Sequence, residues 1–123
     1  MGIEALWAVQ FSGSKFARKQ YSGGVMVVDS GKIVGGDTWQ WYSGTYDRDT
    51  KTGQITCRIR TGTHFEDGGE SIFGGPLVPL KLVGNIELSA DVRNLYAKLT
   101  IEGDPHMRID AILTRVAELP LLN

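Results

Sequence analysis

The chain has 123 residues, the size of one domain around one core, and its 41% hydrophobic and 22% charged content with a net charge of -1 excludes a disordered or supercharged protein. That charge offers no bulk attraction to nucleic acid, so direct nucleic-acid binding is not expected. The single cysteine, Cys57, excludes an internal disulfide, and sixteen glycines against four prolines favour short strands joined by turns.

From the N-terminus, Ala5 to Phe11 alternates Trp7, Val9 and Phe11 with Leu6, Ala8 and Gln10, which is the period of a strand with one apolar side. Ser12 to Ser22 has no strict period and gathers Lys15, Arg18 and Lys19 around Phe16 and Tyr21, so it reads as a loop or a single helical turn. Gly24 to Asp29, the pair Ser30-Gly31 and Lys32 to Val34 read as a hairpin with a tight turn. A corner is expected at Gly35-Gly36-Asp37, where glycines interrupt β-branched and aromatic residues, and the next strand is predicted over Thr38 to Tyr46.

The polar run Asp47 to Gly53 reads as a turn before the alternation of Ile55, Cys57 and Ile59 against Thr56, Arg58 and Arg60. Phe65 to Gly75 is the longest glycine-rich connection. Leu77 to Ser89 carries Leu80, Leu82, Gly84, Ile86 and Leu88 on one side, a long strand with a bend placed at Gly84. Leu95 to Glu102 and Met107 to Thr114 alternate as a terminal hairpin about a Gly103-Asp104-Pro105 turn, and Val116 to Asn123 reads as a tail or a short cap. About eight strands without a long helix-period segment predict an all-β antiparallel meander over 1–123, closed into a lipocalin-like barrel as a single domain.

Side-chain chemistry is sparse. His64, Glu66, Asp67 and Glu70 crowd one loop without a second spaced histidine, and Asp47, Asp49 and Gly53 lack the terminal glutamate of a calcium loop, so no metal or other cofactor is expected. Cys57 sits among isoleucines as a core thiol and His106 follows Asp104-Pro105 in a turn, with no nucleophile and base spaced for catalysis. An enzyme is therefore not expected. Trp39 and Trp41 share one face of the fourth strand and Tyr42 and Tyr46 the other, and the sequence leaves open which pair fills the interior.

With the strands laid out, the chain resembles the GrlR-type regulator family of small bacterial lipocalin-like barrels that bind other proteins. Leu6-Trp7-Ala8-Val9-Gln10-Phe11, Gly24-Val25-Met26-Val27-Val28, and Ile33-Val34-Gly35-Gly36-Asp37 followed by Tyr42-Ser43-Gly44-Thr45-Tyr46 carry the likeness. The resemblance implies a dimeric protein that restrains a transcriptional activator of type III secretion genes by direct contact. The loop that is markedly acidic in that family's regulatory member is of mixed sign here, Asp47-Arg48-Asp49-Thr50-Lys51.

Two functional expectations follow. The first is a non-enzymatic regulator or adaptor that binds a protein partner, such as a transcriptional regulator, and self-associates as a homodimer, with Trp39, Trp41, Tyr42, Tyr46, Asp47, Arg48 and Asp49 as the candidate contact residues. The alternative is a carrier whose inward Trp7, Val9, Phe11, Leu82, Ile86, Leu99 and Ile109 surround a small apolar ligand. The absence of an apolar bilayer-length run or a signal-like N-terminus sets the expected location in the cytosol, away from membranes.

Overall fold

The computed structural model describes residues 2–13, 21–64 and 79–120. Eight antiparallel strands follow one another as a meander and close into a barrel: β1 Ala5–Gly13, β2 Tyr21–Asp29, β3 Lys32–Gly36, β4 Gln40–Arg48, β5 Ile55–Thr63, β6 Lys81–Leu88, β7 Asn94–Ile101 and β8 Asp104–Ala117. Closure comes from β1 pairing with β8, where Val9 lies opposite Leu113 and Phe11 opposite Ala111, so this sheet has no free edge strand. No helix among the described residues is long and apolar enough to cross a membrane.

The period-2 alternation decides the core. Ile55, Cys57 and Ile59 of β5, Leu95, Ala97 and Leu99 of β7, and Ile109, Ala111 and Leu113 of β8 all turn inward and are buried, while the residues between them face out. Gly44 of β4 and Gly84 of β6 take inward positions. A Cβ on Gly44 would overlap the Arg58 carbonyl of β5, and one on Gly84 the Lys98 carbonyl of β7, so neither position admits a side chain. Their cross-strand partners Ile33, Ile59, Cys57 and Leu99 are buried on the same inner face.

The turns follow local chemistry. Ser30 and Gly31 both have positive φ, 51° and 82°, the primed turn that matches the twist of the β2–β3 hairpin. Asp49 organises the β4–β5 turn: its carboxylate accepts the N–H groups of Lys51 and Thr52, and Gly53 sits at φ 76°. At the β6–β7 turn the Ser89 hydroxyl donates to Asp91, which also accepts the Arg93 N–H; these bonds hold the exposed Asp91 carboxyl below its usual range.

Several expected boundaries move. The β3–β4 corner lies at Asp37–Trp39, because Gly35 and Gly36 remain in the β3 ladder opposite Met26 and Val25. β4 therefore starts at Gln40, leaving Trp39 in the turn, and it runs on through Asp47 and Arg48. β1 extends to Gly13 and β2 begins at Tyr21, which narrows the expected loop; Lys15, Phe16, Arg18 and Lys19 lie outside the described residues. The β7–β8 turn is centred on Gly103 at φ 87°, and Pro105 and His106 belong to β8, in a register break between the Thr100–Arg108 and Ile101–Asp104 pairs that spares the missing proline N–H. The 65–78 stretch, with the glycine-rich connection, lies outside the described residues.

Candidate functional site

The β3–β4 corner is built on Asp37. Its carboxylate accepts the N–H of Trp39 at 2.8 Å and of Gln40 at 2.9 Å, while its own N–H donates to the Gln40 carbonyl. The Tyr42 hydroxyl donates to the second carboxylate oxygen. His64, just past β5, donates its backbone N–H to the Trp39 carbonyl and sets Nε2 3.1 Å from the Asp37 carbonyl oxygen. The corner is thereby tied to its neighbour strand, which fixes where Trp39 projects.

Tyr42 is 5% exposed, faces the interior opposite Gly35, and meets Phe11 edge to face at 6.2 Å. Burial, with the Asp37 hydrogen bond and charge behind it, pushes the phenol far above its ordinary pKa and keeps it neutral. Tyr46 points the same way and packs on the core cluster. The tyrosines are therefore the inward pair, and of the aromatic candidates only the tryptophans remain for an outer surface. Trp39 is 47% exposed in the turn and Trp41 37% exposed on β4.

Trp41 pairs with Gly36 on one side and Gly62 on the other. A Cβ on Gly62 would fall within the indole ring, so the ring lies on the bare β5 backbone and the glycine is buried beneath it. Across the neighbouring strands the same outer row continues through Val25 and Ala8, and the adjacent row carries Leu6, Val27 and Val34. Val25 and Val34 are each nearly half exposed. An apolar strip thus crosses β1 to β4 on the outside of a rigid wall, with Trp39 and Trp41 at one end.

Asp47, Arg48 and Asp49 do not join this strip. They stand at the far end of β4, about 20 Å from Trp41 along the strand, and Asp49 is committed to its turn. The sequence reading missed Val25, Val34 and Gly62. Only the strand register brings them beside Trp41, and register is not written locally.

Inside, Trp7, Val9, Leu82, Ile86, Leu99 and Ile109 are all buried, with Phe11 partly buried against them, and they form one contacting cluster with Tyr42 and Cys57. Burial pushes the Cys57 thiol up to about 11, so it is a neutral core group at ordinary pH. Among the described residues no group of three or more His, Cys, Asp or Glu side chains is arranged to hold a metal ion. No protein-family model matches the chain, and no curated protein matches it.

Proposed function

We propose that the protein is a non-enzymatic regulator or adaptor that acts by direct protein contact in the cytosol, in the manner of the GrlR-type regulators, with a transcriptional regulator as partner and a homodimer as its own assembly. The observation that carries this reading is the outward strip of Trp39, Trp41, Val25 and Val34. Exposed aromatic rings on a preformed surface are the residues that dominate protein interfaces, and a rigid strand holds Trp41 at little cost in ordering entropy. The acids with defined bonds also support a non-catalytic reading, since Asp37, Asp49 and Asp91 are occupied in fixing turns.

Affinity capture from the cytosol of the host cell tests the reading, with the wild-type chain and a Trp39→Ser/Trp41→Ser variant as baits. The expected result is a protein recovered by the wild type and lost with the variant, which keeps the β circular dichroism spectrum of the folded barrel although it gives up the Trp41 packing on Gly62. Equal recovery with both baits, or none with either, overturns the reading.

A further inference from the structure

We infer that a basic groove beside Trp41 seats an acidic peptide segment of the protein partner, an assignment that rests on the protein-contact reading and adds the partner's chemistry. The groove has a volume of about 400 Å³ on the outer face of β4, β5 and β6, and its lining includes Ser43, Thr45, Arg58, Arg60, Lys81 and Glu102.

Arg60 and Lys81 are direct cross-strand partners and both are exposed. Like charges placed opposite one another destabilise a sheet, and among the described residues neither has an ion-pair partner to relieve the repulsion. Arg58 adds a third cation two residues along. Its contact with Glu102 is long, 3.9 Å, between side chains 74% and 48% exposed, so it leaves most of the positive field unneutralised. Among the described residues, three cations therefore stand against one carboxylate in this groove of a chain whose net charge is -1. An anionic occupant is the complement.

The surroundings narrow that occupant to a peptide. One cross-strand row runs Val27, Val34, Ser43, Arg60, Lys81, apolar over its first two strands and basic over its last two, with Glu102, just past β7, bonded through its N–H to the Lys81 carbonyl. Strands spaced roughly 5 Å apart put Val34 about 10 Å from Arg60, a span over which one polypeptide segment presents both an apolar side chain and a carboxylate. A phosphodiester backbone needs a longer unbroken positive track. Here the adjoining groove is lined by Asp47 and Glu102 as well as Arg58, which interrupts it.

The test uses the full chain and a fluorescein-labelled peptide of glutamates with interspersed leucines, titrated by fluorescence anisotropy. Saturable binding is expected, weakened about tenfold or more by Arg60→Glu/Lys81→Glu and by raising salt from about 0.05 to about 0.5 M, with no binding of the lysine-for-glutamate peptide. The salt titration needs only the wild-type chain, so the inference stays testable where a charge reversal fails to fold. Absence of saturation, or binding indifferent to both salt and charge reversal, overturns the assignment. So does tighter binding of single-stranded DNA of about twenty nucleotides, or binding replaced by self-association that the reversal abolishes. Partner capture that depends on Trp39 and Trp41 without acidic-peptide binding removes the groove assignment alone, whereas loss of that capture removes the reading beneath it.

Discussion

The guanidinium of Arg115 on β8 lies 4.7 Å over the ring of Trp7 on β1, joining the last strand to the first where the barrel closes. Trp7 is fully buried and its Nε1–H donates to the Ile3 carbonyl at 2.9 Å. Arg115 uses its remaining donors on the carbonyls of Gly2 at 2.8 Å and Val92 at 3.1 Å and on Glu118. The Val92 bond helps hold a β-branched residue at φ 55°, a conformation it rarely adopts. Arg115→Ala should therefore lower stability by about 2–3 kcal/mol in a urea titration, since it removes the cation–π contact and the donors to two carbonyls and one carboxylate. Arg115→Lys should recover only part of the loss, because an ammonium cannot reproduce the fork.

Asp37 and Tyr42 form the second such link. Tyr42→Phe leaves a part-buried carboxylate short of one donor and should cost about 1–3 kcal/mol, and Asp37→Ala should cost more because the Trp39 and Gln40 amides lose their acceptor too. In a double-mutant cycle the two losses should be strongly non-additive. Additive losses would mean that the bond contributes nothing to the folded state.

Cys57 gives a pH prediction. Its pKa rises from 9.0 to about 11 on folding, so the unfolded chain ionises first as pH rises. The stability gained by keeping the thiol protonated is whole below pH 9 and declines as pH climbs towards 11. Tyrosines and lysines titrate in the same window, so the readout is the difference in urea midpoint between wild type and Cys57→Ala, which should narrow steadily over that range. Native protein at pH 8 should also react with a thiol reagent far more slowly than urea-unfolded protein.

Leu99 separates a filled barrel from a carrier. It is 5% exposed and in the same contacting cluster as Leu82 and Ile86, so Leu99→Ala should cost about 2–5 kcal/mol as a core truncation. A side chain facing a water-filled ligand cavity buries less apolar surface and would lose less on the same change. A measured cost under about 1 kcal/mol would therefore favour the carrier.

The strands whose alternation is uninterrupted were legible from residues alone. Ile55, Cys57 and Ile59 read as the buried side of β5 and Leu95, Ala97 and Leu99 as that of β7, and both are. The β3–β4 corner lies beyond Gly35-Gly36 because glycine has two meanings. At Gly35 and Gly36 it allows strands to approach closely, while the turn itself is made by the Asp37 carboxylate capturing amides two and three residues on. Pro105 and His106 read as turn residues because proline resists ladders, yet a register break lets both stay in β8. The choice between tryptophans and tyrosines for the interior depended on which face of β4 met Phe11 and Met26 after closure, a long-range outcome with no local signature. The outer strip and the Arg60–Lys81 pair were hidden for the same reason.

Sedimentation velocity across a concentration series up to tens of micromolar tests the central claim, that the protein works through its outer tryptophan face, most directly. The wild-type chain should sediment as a concentration-dependent dimer and the Trp39→Ser/Trp41→Ser variant as a monomer that is still folded by circular dichroism at the temperature of the run. A wild type that stays strictly monomeric, or a variant that dimerises as well as the wild type, would contradict the account.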